Sequence, residues 1–133
     1  MDIYKQSTLM IYFLSGNDPY LISLKRRSLQ EAFLAQHPDG EVTTYDFEDE
    51  RSEKEVAHIL EESEGGLFGA PKMAIIFQSS LLGQEALEYF FQELALRSIQ
   101  TEWLLVEPAL PKKASPFSKL INTLPHEAVL ANT

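Results

Sequence analysis

Gly16 and Asp18 are the residues best placed for nucleotide chemistry, because they directly follow an apolar run, in the sequence SGNDPYLI. A phosphate-binding loop reads G-x-x-x-x-G-K-[ST]: its backbone N–H groups surround the phosphates, its lysine neutralises charge and its hydroxyl binds Mg²⁺. Here the second glycine, the lysine and the hydroxyl residue are absent, and Asp18 adds negative charge where phosphates would lie. The G-x-G-x-x-G fingerprint of a dinucleotide site is absent too. We therefore predict no bound cofactor.

The acidic run DFEDE, from Asp46 to Glu50, is the best candidate for binding a hard cation. Such a site needs several oxygen ligands converging on one point, and proximity in sequence does not provide that convergence. The third apolar segment ends in Phe77 and Gln78, so it supplies no aspartate for Mg²⁺. We predict a solvated acidic loop and no metal site. The alternative to a domain without cofactor or metal is a nucleotide- or Mg²⁺-dependent enzyme. It would have an atypical phosphate site that uses Gly16, Asp18 and Asp46.

The three histidines give no catalytic pattern. His37, His58 and His126 are far apart and share no ligand spacing, and none accompanies a recognisable nucleophile. We predict surface histidines and no catalytic residue. The basic segment PKKASPFSK is typical of a solvated loop and helix end, although it could contact an acidic partner or a phosphate.

Composition narrows the class of protein. The chain has 133 residues, 44% apolar and 23% charged, which suits one α/β domain with a real core. Its net charge of −9 disfavours broad contact with DNA or RNA, which depends on Lys and Arg displacing counterions. The absence of cysteine fits a reducing compartment, and no apolar run reaches the length of a membrane span.

Apolar strands alternate with amphipathic helices along the whole chain. Asp18 followed by Pro19 predicts a helix start, and Ser52 with Glu55 has the spacing of a capping box. This alternation predicts an α/β fold, a three-layer, doubly wound and mostly parallel five-stranded sheet. The predicted strands are 9–14, 41–47, 72–77, 102–107 and 127–131, and the predicted helices run from 18 to about 36, from about 52 to the glycine loop, roughly 83–97, and from 115 to Pro125.

Leu67 and Phe68 stand between glycines in the loop EESEGGLFGAPK. One interpretation is that both side chains pack beneath the sheet as part of the core. The other is that they form an exposed anchor for a protein partner, since fully burying a Leu or Phe side chain contributes roughly 1.5–3 kcal/mol. Periodicity alone slightly favours the core, and the exposure of Phe68 decides between the two.

Several segments in order resemble one family. They are YFLSGNDPYLISLKRRSLQEAF, TTYDFED, EESEGGLFGAPKMAIIF and TEWLLVEPALPKKASPFSKLI, from about Ile11 to about Leu130. Together, the Gly-x-Asp-Pro turn, the Leu-Phe-Gly loop before an apolar strand and the aromatic-rich third helix resemble the N-terminal domain of the delta subunit of bacterial DNA polymerase III. That subunit belongs to the clamp loader and opens the sliding clamp.

The resemblance implies a P-loop NTPase or AAA+-like core without a functional nucleotide site, a non-catalytic part of a cytoplasmic DNA polymerase complex. It implies that Leu67 and Phe68 enter an apolar pocket on the clamp, the beta subunit, and that Glu61, Glu62 and Glu64 rim the contact. Family proteins are much longer and join the other loader subunits through regions that are absent here. We therefore expect residues 1–133 to be one domain, an N-terminal fragment of a longer subunit.

Overall fold

The computed structural model describes residues 10–49, 53–63, 70–97, 101–109 and 112–132. Strands and helices alternate along them, which confirms the predicted α/β class. A short 3-10 turn, Ser79–Leu81, precedes the third helix. The strands are β1 (Ile11–Ser15), β2 (Glu41–Asp46), β3 (Lys72–Phe77), β4 (Thr101–Glu107) and β5 (Glu127–Leu130), and the helices are α1 (Pro19–Gln36), α2 (Glu53–Glu62), α3 (Gln84–Arg97) and α4 (Pro116–Ile121).

All five strands form one sheet in the order β2-β3-β4-β1-β5, and every neighbouring pair is parallel. In register, Ile11 lies beside Trp103 and Tyr12 beside Glu127, so β1 is held between strands from the far end of the chain. This order differs from the 3-2-1-4-5-6 order of dinucleotide-binding folds and from the flavodoxin order 2-1-3-4-5.

The strand order determines which face each helix covers. The connection from β1 to β2 runs in one direction along the sheet, and the other three connections run in the opposite direction. Because parallel crossovers are right-handed, α1 must lie on one face and α2, α3 and α4 on the other. The two apolar cores agree: Ile22 and Phe33 of α1 pack with Leu104, whereas Phe90 and Phe117 pack with Trp103 on the opposite face.

Edge-to-face aromatic contacts organise the larger core. The Phe90 ring lies 5.9 Å from that of Phe47 and 6.0 Å from that of Trp103, with interplanar angles of 80° and 87°. Phe91 contacts Phe117 in the same way, at 5.6 Å. Such geometry places the positive edge of one ring against the negative face of the next. The aromatic stripe of α3 therefore fixes how α3 and α4 pack against the sheet.

The helix starts mostly follow the sequence signals. Asp18 accepts hydrogen bonds from Tyr20 N and Leu21 N, and Ser115 accepts one from Ser118 N. Both helices carry proline in the first turn, as predicted. Ser52, the predicted cap of α2, lies outside the described residues.

Three details correct the sequence predictions. The sequence predicts Ala32 on the apolar face of α1 with Ile22, Leu29 and Phe33, but Ala32 is exposed while those three side chains pack against the sheet. Met10 precedes β1, and the strand continues to Ser15. The 3-10 turn after β3 was not predicted, since its sequence SSL carries no distinctive signal.

None of the described helices is both long and apolar enough to span a membrane.

Replacing Phe90 with Ala should lower the free energy of unfolding by about 3–5 kcal/mol, because it removes a fully buried ring and two aromatic contacts. Urea unfolding followed by circular dichroism measures the loss. Leu96→Ala is the matched control on the same helix: Leu96 is 72% exposed, so its loss should stay within about 0.5 kcal/mol. Equal losses for both variants would show that the core is wrongly described.

Candidate functional site

In an open parallel sheet, ligands bind beyond the carboxyl ends of the strands, where neighbouring connections leave toward opposite faces. That point lies here between β1 and β4, because β1 leads to α1 on one face and β4 leads to α4 on the other. The loop after β1 carries Gly16 and Asp18, and β4 ends at Glu107. These residues are therefore the first to inspect for ligand chemistry.

The loop after β1 is occupied by the chain's own C-terminal segment. Ala131 N donates to Ser15 O at 2.8 Å, and Asp18 N donates to Ala131 O at 3.2 Å. Asn17 N donates to Asn132 Oδ1 at 2.9 Å. A Cβ added at Gly16 would overlap the backbone of Ala131. Gly16 is thus explained by a close approach of two backbones, and the N–H groups of Asn17 and Asp18 are already paired.

Asp18 blocks the other anion-binding feature, the N-terminus of α1. Its Oδ1 accepts from Tyr20 N at 2.9 Å and from Leu21 N at 3.3 Å. A helix N-terminus attracts anions because its first N–H groups lack partners. Here a carboxylate of the protein takes that place.

Asp46 does not join Asp18 in a site. Asp46 ends β2 at one edge of the sheet, and three strand spacings, roughly 14 Å, separate β2 from β1. The side chain of Gln78 instead reaches the acidic loop, with Nε2 donating to Glu48 Oε2 at 2.8 Å and to Asp46 Oδ1 at 3.3 Å. Among the described residues, no group of three or more acidic, histidine or cysteine side chains is arranged to hold a metal ion.

Gln78 has a left-handed backbone, with φ of 62° and ψ of 41°. Its amide N donates to Val106 O at 2.9 Å, so the strained residue is held by β4 as well as by the acidic loop. Residues in this region cost about 1–3 kcal/mol and persist only where their surroundings hold them. The turn after β3 is therefore tied to both neighbouring strands.

Glu107 is a buried carboxyl at the carboxyl end of the central strand β4. It is 2% exposed and accepts hydrogen bonds from the Ser80 hydroxyl and from Ser80 N. Burial raises the pKa of Glu107 to about 7, and the serine contacts only partly oppose that rise. An open cleft beside it is lined by Gln78, Pro108, Lys112 and Ser115. In the sequence this residue is a glutamate at the end of a mostly apolar strand, and we did not predict its role.

The histidines take structural positions. His58 is exposed and pairs with Glu62 one helical turn away, Nε2 to Oε1 at 3.3 Å. His37 and His126 are half-buried rather than on the open surface as predicted, because each packs against a phenylalanine ring, Phe33 and Phe13 respectively.

Leu67 and Phe68, the predicted partner-binding residues, lie outside the described residues, as does Glu64. Hydrogen bonds hold the described residues on either side of them. Lys72 Nζ, on a buried residue, donates to Glu62 O at 2.6 Å, and Thr101 Oγ1 donates to Ser63 O at 2.5 Å. Both contacts give a donor to carbonyl groups at the C-terminal end of α2, which have no partner within the helix. The helix dipole also favours the positive charge of Lys72 at this end.

A side-chain contact from β2 completes this anchor. Tyr45 Oη donates to Glu62 Oε1 at 2.7 Å. Burial and the neighbouring Glu62 carboxylate raise the pKa of Tyr45 well above its ordinary value. The phenol therefore stays protonated at physiological pH and keeps donating. Residues of β2, β3 and β4 thus hold the C-terminal end of α2. Two of them, Lys72 and Thr101, are the first residues of their strands.

Comparison with known proteins adds no identification. The chain matches no protein-family model and no curated protein sequence. The assignment of function consequently depends on the residues and geometry above.

ATP with Mg²⁺ should not stabilise this domain. The reason is that the N–H groups of Asn17, Asp18 and Tyr20, after β1 and at the start of α1, are already paired within the chain. We expect the melting temperature to change by less than about 1 °C across millimolar ATP. Differential scanning fluorimetry with a titration of ATP and Mg²⁺ measures it. A saturable rise would instead support the nucleotide-dependent alternative that uses Gly16, Asp18 and Asp46.

Glu107 should make stability fall as pH rises from about 4.5 to 7. The unfolded carboxyl loses its proton near pH 4.5, while the folded carboxyl keeps it until about pH 7. Folding is thus favoured below this window and loses up to about 3 kcal/mol across it. Glu107→Gln keeps an acceptor for Ser80 and should remove this slope.

Urea unfolding at several pH values compares this variant with the wild type. Glu85→Gln, which removes the same charge from an exposed position on α3, serves as the control and should keep the slope. Identical pH profiles for Glu107→Gln and the wild type would refute the role of Glu107.

Proposed function

We propose that this domain is a non-catalytic part of a clamp loader that binds the sliding clamp of a DNA polymerase and helps to open it. The observation that carries the proposal is a parallel sheet whose expected phosphate position is filled by Ala131 and Asn132. A protein with this sheet, in which the loop after β1 is covered by its own backbone, fits a subunit that works by binding. The motif set shared with the delta family gives the partner.

The fold family to which the domain belongs is part of this proposal. We assign the domain to a P-loop NTPase or AAA+-like core that lacks a functional nucleotide site. The five-stranded parallel sheet with helices on both faces supports this assignment. ATP hydrolysis would then belong to other loader subunits in the cytoplasmic complex, and these would join through regions absent from the chain.

Leu67 and Phe68 are the proposed contacts with the clamp. Burying these two side chains in an apolar pocket would supply roughly 3–6 kcal/mol before the cost of ordering the loop. The anchored end of α2 supports the proposal, because it fixes the backbone next to the proposed contact residues. Ser63 is held by Thr101, and Pro71 O accepts from Glu41 N at 3.2 Å, so both sides of the loop start from fixed backbone.

Charge supports a protein partner rather than DNA. The chain carries 20 acidic and 11 basic residues, so a phosphate backbone is repelled at long range. Near the proposed contact, Glu61 and Glu62 are exposed. They would form the polar rim that commonly surrounds an apolar interface centre.

Changing Leu67 and Phe68 together to Ala should weaken binding to the sliding clamp at least about a hundredfold, since it removes both apolar anchors. Surface plasmon resonance with immobilised beta clamp measures the dissociation constant. Circular dichroism and urea unfolding of the same variant establish whether the fold is retained.

Leu96→Ala is the control, because it removes an exposed leucine from α3 and should leave clamp affinity unchanged. If the double variant loses more than about 3 kcal/mol of stability, the pair belongs to the core and the proposal fails. Clamp binding equal to the wild type by a stable double variant would refute it as well.

A further inference from the structure

The outer face of α1 has a residue pattern that the fold does not use. Among the described helices, α1 alone covers its face of the sheet, through Ile22, Phe33 and Leu29. On the opposite side of the helix, residues recur at spacings of four and three. They are Tyr20, Leu24, Arg27, Glu31 and Leu34. This is the spacing of the contact positions in a two-helix coiled coil, and it extends for about 21 Å along the helix.

All five side chains of this outer stripe are open to solvent. Tyr20 is 70% exposed, Leu24 39% and Leu34 36%. Arg27 and Glu31 are also exposed, and within the described part of the chain neither side chain makes a hydrogen bond or an ion pair. Two opposite charges without partners thus lie between apolar residues on one line.

We propose that the outer stripe of α1 pairs antiparallel with the same stripe of a second copy of this chain, about a two-fold axis near Leu29. In that register Leu24 lies opposite Leu34 of the second copy, and Arg27 lies opposite its Glu31. Two-fold symmetry repeats both contacts, which gives two leucine layers outside two ion pairs. Tyr20 then lies opposite Pro38, which is exposed just beyond the end of the partner helix.

The order of charges along the stripe selects a second copy in this orientation. A parallel pair in register would place Arg27 against Arg27 and Glu31 against Glu31, whereas the antiparallel pair matches opposite charges twice. The positions beside the stripe are Ser23, Ser28, Gln30 and Ala35, which are short or uncharged and let two helices approach closely. A self-complementary surface of this kind is what an isologous interface requires.

The pairing should be weak, because one helix pair with two leucine layers is at the small end of specific interfaces. We expect a monomer–dimer equilibrium with a dissociation constant in the range of tens to hundreds of micromolar. It does not depend on the proposed clamp function, since α1 and the end of α2 lie on opposite faces of the sheet.

Charge reversal tests the register. Arg27→Glu and Glu31→Arg, made separately in the full 133-residue chain, each replace two ion pairs by two like-charge contacts. Each should weaken dimerisation about tenfold. An equimolar mixture of the two variants should recover wild-type association as a heterodimer, because the negative stripe then faces the positive stripe. Sedimentation equilibrium between 20 μM and 1 mM measures all three, and circular dichroism checks the fold.

A monomeric wild type at 1 mM would overturn the proposal. So would single variants that dimerise as tightly as the wild type, or a mixture that associates no better than its separate components. Arg26→Glu is the matched control for net charge, because Arg26 bonds to Gln30 beside the stripe rather than on it. A tenfold loss for this variant, equal to that for Arg27→Glu, would show a general charge effect and also overturn the register.

Discussion

Burial of β4 on both faces is the constraint from which the rest of the architecture follows. All seven residues from Thr101 to Glu107 are buried, and the strand pairs with β1 on one side and β3 on the other. A strand with two apolar faces needs a helix layer on each. The chain supplies α1 for one and the other three helices for the second, so its strand order and its two cores are a single solution to one packing problem.

In the same arrangement, different contacts are made at the carboxyl ends and at the amino ends of the strands. At the carboxyl ends of the strands, Ala131 covers the Gly16 loop, Asp18 caps α1, and Ser80 pairs with Glu107 beside an open cleft. At the amino ends, α2 ends in carbonyl groups held by Lys72 and Thr101. These contacts hold the last described residues before the segment that contains the proposed contact residues Leu67 and Phe68.

The sequence predicts the elements well because their signals are local. Continuous apolar runs indicate doubly covered strands, Asp18 with Pro19 indicates the start of α1, and the spacing of Leu87, Phe90, Phe91 and Leu94 indicates the buried face of α3. Each signal depends on nearby residues only.

The features that sequence analysis missed depend on contacts between distant residues. Nothing near Gly16 shows that Ala131 lies against it, and nothing near Glu107 shows that Ser80 bonds to it. The left-handed backbone of Gln78 is likewise imposed by Val106 and the acidic loop, since glutamine itself does not favour it. Leu67 and Phe68 were singled out by their position between glycines, the resemblance of motifs gave their proposed role, and their surroundings stay a prediction.

The position of β1 inside the sheet also affects how the chain is made. Its two neighbours, β4 and β5, come last among the strands that the structure describes, so β1 is synthesised before either of them. Until then the backbone groups along both sides of β1 lack their strand partners. Such late pairing slows folding and exposes a strand edge to aggregation. The sheet around β1 can therefore close only after the segment that covers Gly16 has emerged.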